Sequence, residues 1–112
     1  MFPARPCAAI LHRKAALHML DFLKRTWAEI HLDRLRRNFR VIQDSLSPGC
    51  RVMAVVKADA YGHGAAAAAQ ALRDAGASWF GVSNLEEGVQ LRRAGIEEPI
   101  LILSYTPPEE AA

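Results

Sequence analysis

Apolar and polar positions follow patterns that change along the chain. Residues 26–30 alternate polar and apolar, which predicts a short half-buried strand. From Leu32 to Leu46 apolar residues recur every three or four positions, which predicts an amphipathic helix with its arginines largely on a solvated outer face. We expect Asp33 to cap this helix and residues 47–49, which are serine, proline and glycine, to end it.

The next apolar segments are shorter and indicate strands. Residues 51–56 form a continuous β-favouring run, which is typical of a strand covered on both faces. Residues 79–82 and 100–103 are two further apolar runs. Residues 65–75 predict a helix, because alanine has the highest helix propensity, and we expect this helix to pack closely against a sheet.

Glycines and capping residues punctuate these segments. Gly76 and Gly95 each precede an apolar run and supply the left-handed residue that ends a helix. Ser83-x-x-Glu86 has the form of a capping box, and a second box begins at Thr106. The order strand, helix, strand, helix, strand, with another helix just beginning, predicts an α/β fold of parallel strands joined by right-handed crossovers.

Three apolar parallel strands leave backbone donors and acceptors unpaired on two edges. A closed barrel of eight β/α units takes about 250 residues, whereas this chain has 112. We therefore expect the chain to be the start of a larger structure.

Composition and charge exclude several classes of function. The formal net charge is +2, and residues 1–25 hold five basic residues against Asp21 alone, so the remainder carries nine basic and eleven acidic residues. That balance gives no strong attraction for nucleic acid. Charged residues interrupt every apolar run, which argues against a membrane-spanning segment. Cys7 and Cys50 lie far apart without a metal-ligand spacing, so we expect reduced thiols and a cytoplasmic location.

The first eighteen residues differ in composition from the rest. They contain no acidic residue, and their longest apolar run is too short for a secretory signal. We interpret residues 1–18 as an upstream or non-structural extension, with Met19 as the hypothetical true start, and residues 19–112 as the folded segment.

Lys57 is the candidate reactive residue. It directly follows the first apolar strand, at the carboxyl end, which is the edge where β/α folds place their chemistry. A lysine there is often a charged rim residue. A poorly solvated setting at the strand end, however, favours the neutral amine, which is a nucleophile able to form a Schiff base with an aldehyde cofactor or a carbonyl substrate.

The loop after Lys57 carries further candidate groups. Gly62 and Gly64 allow a positive φ, either for a close approach to a ligand or for a tight turn. Tyr61 offers a hydroxyl for a phosphate oxygen. We expect His63 to be exposed or structural more often than catalytic, and Asp59 to hold the loop by accepting bonds from backbone amides.

The sequence Ala-Val-Val-Lys-Ala-Asp-Ala-Tyr-Gly-His-Gly at residues 54–64 resembles the pyridoxal-phosphate attachment signature of bacterial alanine racemases. Residues 26–30, the Leu-x-x-Asn motif at residues 35–38 and residues 80–87 also resemble amino-terminal segments of that family, in the same order. The likeness extends over about residues 20–110, which makes it far more specific than a lone glycine motif.

The resemblance implies the amino-terminal part of a TIM-type (β/α)8 barrel, incomplete in this chain, and a homodimeric full-length enzyme that interconverts L-alanine and D-alanine. Lys57 matches the lysine that holds pyridoxal 5'-phosphate covalently and exchanges the substrate's α-proton on one face. A tyrosine of the partner subunit works on the other face. Tyr61 matches a residue that contacts the cofactor phosphate.

The rest of the family's site belongs to later segments, so we expect this chain alone to be an inactive fragment. His31 stands where the family commonly has an acidic residue. The alternatives are a racemase acting on serine or several amino acids, a non-catalytic remnant that binds the cofactor or another chain, and a cofactor-free enzyme whose lysine attacks a carbonyl substrate.

Overall fold

The computed structural model describes residues 26–110. The predicted extension at residues 1–18 lies outside the described residues, and so does Cys7. The boundary between that extension and the folded segment therefore stays a prediction.

Helices and parallel strands alternate along the described part of the chain. The helices are α1 (Leu32–Asp44), α2 (Ala65–Ala75) and α3 (Leu85–Arg93). The strands are β1 (Met53–Val55), β2 (Trp79–Val82) and β3 (Ile100–Ile102). A turn of left-handed residues occupies Lys57–Gly62, and a 3-10 turn occupies Pro108–Glu110.

The three strands form one parallel sheet in the order β1-β2-β3. Ala54 lies beside Phe80, and Phe80 lies beside Ile100. Each parallel pair is connected through a helix, as a β-α-β unit requires. The predicted α/β class and the extents of α2 and β2 are confirmed.

The core lies between one face of this sheet and the helices. Phe39 of α1, Ala68 of α2 and Leu91 of α3 belong to the same buried cluster as the strand residues. Every second strand residue contributes, because side chains alternate between the two faces. The largest fully buried side chains are Phe80, Leu91, Ile96, Val56 and Val82.

The opposite face of the sheet is not covered by residues 26–110. Its apolar side chains are partly exposed, with Val55 at 36% and Leu103 at 47%. These two side chains flank Gly81, since a Cβ built there would lie 3.3 Å from Val55 Cγ2 and 3.6 Å from Leu103 Cδ1. The prediction of strands covered on both faces is therefore wrong for this part of the chain. An apolar run indicates that a face needs a cover, but not which residues supply it.

Two expectations about the first segment are also wrong. Residues 26–30 form no strand, because a strand needs a hydrogen-bonded neighbour and none of the described strands pairs with them. Asp33 does not cap α1: His31 occupies the N-cap position and Asp33 lies in the first turn. There its charge faces the positive end of the helix dipole.

Of the predicted apolar stripe, Phe39 is buried, whereas Ile42 is 56% exposed.

The capping prediction before α3 is displaced by one residue. Asn84, not Ser83, is the N-cap, and its side-chain oxygen accepts a bond from Glu87 N at 2.9 Å. Asparagine is at least as good an N-cap as serine, and Ser83 continues the chain out of β2. At the other helix ends, Gly76 and Gly95 have the predicted positive φ, 114° and 83°.

The alanines of α2 permit close packing, but chiefly against another helix. Ala68, Ala69 and Ala71 are buried, and α2 packs more extensively against α1 than against any other described element. Small side chains allow two helix backbones to approach. The sheet contacts the same helix through the shared core cluster.

Enlarging a buried alanine of α2 tests this packing. We expect Ala69→Leu to lower the free energy of unfolding by about 1–3 kcal/mol, because the close-packed core has no room for the added atoms. Urea denaturation measures the change. Ala67→Leu is the matched control: Ala67 is exposed on the same helix, and its replacement should alter stability by less than about 0.5 kcal/mol. Equal effects of the two substitutions would contradict the packing.

Candidate functional site

Lys57 lies at the carboxyl end of β1, as predicted. The preceding residue, Val56, is 1% exposed, and its amide donates to Gly81 O at 2.8 Å. Lys57 itself is half-buried. The lysine therefore leaves the sheet from an anchored position, with its side chain neither enclosed in the core nor fully in solvent.

The chain turns left-handed directly after Lys57. Ala58, Asp59, Ala60 and Tyr61 have φ between 50° and 54°. For residues with a Cβ this conformation costs about 1–2 kcal/mol each, and a run of four is unusual. Sequence reasoning anticipated positive φ only at the two loop glycines, where it is confirmed.

Backbone hydrogen bonds hold the left-handed turn at both ends. Ala60 N donates to Val56 O at 2.9 Å, and Gly64 N donates to Asp59 O at 2.9 Å. The Asp59 carboxylate accepts a bond from Ala65 N at 2.7 Å, so it caps the start of α2. The structural role predicted for Asp59 is confirmed, and the turn is connected to both the strand before it and the helix after it.

Glu87 ties the turn to the neighbouring strand. Its Oε1 accepts a bond from Ala58 N at 2.8 Å, and its Oε2 accepts one from Ser83 N at 2.7 Å. Sequence reasoning missed this residue because it assigned the capping box to Glu86. The available signal was the spacing Asn84-x-x-Glu87, one position further along.

Tyr61 and His63 border a cavity beside the turn. It has a volume of about 160 Å³ and an apolar lining that includes Val55, Val56 and Leu35. The Tyr61 side chain is 62% exposed. In the Nδ1–H tautomer, His63 donates to Ala60 O at 2.8 Å, which agrees with a structural role for the ring.

A second cavity, of about 180 Å³, adjoins the first. It shares His63 and Leu35 with the first cavity and is bordered by Arg34, Asn38 and His31. Lys57 is not among the residues that line either cavity. The structure thus brings Lys57 and Tyr61 to one turn, but the two side chains do not share one of these cavities.

Other kinds of site are not seen within residues 26–110. No group of three or more acidic, histidine or cysteine side chains in this range is placed to hold a metal ion. None of its helices is long and apolar enough to cross a membrane. Cys50 is exposed and unpaired there.

Comparison with known proteins identifies relatives for most of the chain. Residues 30–112 match the family model described as alanine racemase, N-terminal domain. The chain is 51% identical over 92 residues to an alanine racemase of Symbiobacterium thermophilum, an alignment that covers 82% of this chain and 24% of that protein. An alanine racemase of a Nostoc species is 53% identical over 89 residues, covering 80% and 23%.

Solved structures give the same result for the fold. The alanine racemase of Bacillus anthracis with bound L-Ala-P matches with a TM-score of 0.73 and 40% identity, covering 76% of this chain and 22% of that one. The Clostridium difficile alanine racemase in complex with cycloserine matches with a TM-score of 0.71 and 46% identity, covering 75% and 22%. The chain thus spans about a quarter of the length of these relatives.

Replacing Asp59 tests how the turn is held. We expect Asp59→Ala to lower the free energy of unfolding by about 1–2 kcal/mol, because the Ala65 amide loses its acceptor and alanine is less tolerant of the left-handed conformation. Asp59→Asn should retain most of the stability, since it keeps a side-chain oxygen. Thermal or urea unfolding measures both.

The control is Asp74→Ala, which removes an exposed carboxylate whose ionic partner within residues 26–110 is the adjacent Arg73, at 3.2 Å. Such a pair contributes little, so the change should stay below about 0.5 kcal/mol. A loss in Asp59→Asn as large as that in Asp59→Ala would show that the capping oxygen is not what stabilises the turn.

Proposed function

The chain belongs to the alanine racemase family, as a segment of its N-terminal (β/α)8 barrel domain, and from this premise we propose that Lys57 and Tyr61 bind pyridoxal 5'-phosphate for the interconversion of L-alanine and D-alanine. The observation that carries the proposal is the position of Lys57: it is half-buried and lies at the carboxyl end of β1. A β/α barrel places its reacting groups at this edge.

The groups at this edge fit the proposed cofactor. A primary amine is the side chain that condenses with an aldehyde, and a phenolic hydroxyl can donate to a phosphate oxygen. The open sheet face next to Lys57 is apolar, with Val55, Leu101 and Leu103 partly exposed, and an aromatic ring packs favourably on such a surface. Lys57 would hold the aldehyde carbon, and Tyr61 the phosphate.

Lys57 then has two tasks. Its Nζ would hold the cofactor, and at the substrate's α-carbon the same nitrogen would take up a proton as the free amine and return one as the ammonium. The cofactor, when bound, supplies the electron sink that makes this proton acidic enough to move. Because the amine starts from an anchored strand end, its approach to the α-carbon is restricted to one side.

The remaining parts of the proposal concern the whole enzyme. The relatives are alanine racemases and are about four times as long as the matched segment, so alanine as substrate, a homodimer and a cytoplasmic location are proposed for a full-length protein. Its barrel would cover the open apolar face of the sheet described above.

Chemical trapping tests Lys57 as the anchor. The lysines of the chain are Lys14, Lys24 and Lys57. After incubation with pyridoxal 5'-phosphate and borohydride reduction, peptide mass spectrometry should find the pyridoxyl group mainly on Lys57. Lys57→Arg should abolish that signal, whereas Lys24→Arg should leave it intact. Labelling spread evenly over the three lysines and the terminal amine would refute the assignment.

Racemisation tests the second task. In a version of the protein extended to the family's length, we expect Lys57→Ala to reduce the rate of conversion of L-alanine to D-alanine by roughly 10²–10⁴-fold or more, because a positioned acid-base group is lost. Chiral chromatography measures the product. Tyr61→Phe should instead weaken cofactor binding while the saturated enzyme keeps much of its rate. Unchanged activity of Lys57→Ala would rule out the mechanism, and conversion of serine in preference to alanine would change the substrate.

A further inference from the structure

Glu87 connects the carboxyl ends of two strands through one carboxylate. Lys57 and Ala58 follow β1, and Ser83 follows β2. One oxygen of Glu87 accepts from Ala58 N at 2.8 Å and the other accepts from Ser83 N at 2.7 Å. We propose that Glu87 is a positioning residue for Lys57, an inference that rests on the proposed function of that lysine.

The bond to Ala58 acts on the backbone of Lys57. Lys57 and Ala58 share a peptide group, so fixing the amide of Ala58 fixes the plane of that group and with it the ψ angle of Lys57. Ala58 is also the first left-handed residue, with φ of 50°. The Glu87 carboxylate thus fixes the backbone between Lys57 and Ala58, where the chain changes from strand to left-handed geometry.

An ordinary cap would not need this arrangement. In a capping box, the glutamate at the third helical position bonds the amide of the N-cap residue. Here Asn84 is the N-cap and already accepts from Glu87 N. The carboxylate instead bonds Ser83, one residue before the cap, and Ala58, which is 29 residues away in sequence. Its second bond therefore serves the Lys57 turn and not helix α3.

Both bonds have a carboxylate as acceptor, which makes them stronger than bonds between neutral groups. The bond from Ala58 N also offsets part of the strain in the left-handed backbone of Ala58. Among the described residues, Glu87 is the hydrogen-bond acceptor for this amide. Without the two Glu87 bonds, the backbone at Lys57 would sample more conformations. The Lys57 amine would then meet an aldehyde in the right geometry less often.

Four substitutions separate positioning from general stability. Glu87→Gln keeps the shape but leaves one oxygen to accept, so one of the two amides loses its partner. Glu86→Gln makes the same charge change at the adjacent exposed position of the first helical turn. Asn84→Ala removes the cap of α3 but leaves the Glu87 carboxylate in place. Glu87→Asp keeps the charge on a shorter side chain, as a milder change should Glu87→Gln fail to fold.

Two measurements on the full chain read out the effect. Amide hydrogen exchange reports the protection of Ala58 and Ser83 without any cofactor. The initial rate of pyridoxal 5'-phosphate trapping at Lys57, relative to Lys24 in the same sample, reports the placement of the amine. For Glu87→Gln we expect protection at one of the two amides to fall roughly tenfold or more, and the ratio of trapping at Lys57 to Lys24 to fall several-fold.

Glu86→Gln and Asn84→Ala should leave that trapping ratio within a factor of about two, and Glu87→Asp should give an intermediate value. An unchanged ratio in Glu87→Gln, or an equal fall in Asn84→Ala, would overturn the positioning role. If the unaltered chain shows no preference for Lys57, the proposed function fails instead, and the exchange data alone then decide whether Glu87 holds the turn.

Discussion

The left-handed conformation of residues 58–61 is the constraint on which the candidate site depends. Four residues with side chains adopt it in succession, and each is unfavourable by about 1–2 kcal/mol when taken alone. Such a segment persists only where its surroundings hold it. Here Val56, Gly64 and the Glu87 carboxylate bond its backbone, and its Asp59 side chain bonds the first residue of α2. The position of Lys57 is a consequence of those bonds.

The parallel sheet explains why these groups meet. Parallel strands bring their carboxyl ends to one edge, so the residues after β1 and after β2 become neighbours although they are far apart in sequence. Glu87 spans that gap. The same sheet buries one face under helices and leaves an apolar face uncovered by the described residues. In a barrel of this family's kind, that face would line the interior.

Sequence reasoning succeeded where local signals agree with the fold. The alanine helix at Ala65–Ala75 and the strand at Trp79–Val82 have the predicted bounds, because high helix propensity and a short apolar run each favour one conformation. It failed where a partner decides the outcome. Residues 26–30 alternate as a strand would, yet they pair with no described strand. The N-cap of α3 was misplaced by one residue, and Glu87 was missed with it.

The sequence alone determined the α/β class, the candidate lysine at a strand end and the family likeness, because periodicity, propensity and an eleven-residue motif are local properties. Only the tertiary structure revealed the left-handed turn, the Ala65 amide as the partner of the Asp59 carboxylate, and the bridge from Glu87 to Ala58. Nothing in the local sequence marks alanine as left-handed, since that conformation is intrinsically unfavourable. It is stabilised by hydrogen bonds, among them one to a residue 29 positions away, which exist only once the strands are side by side.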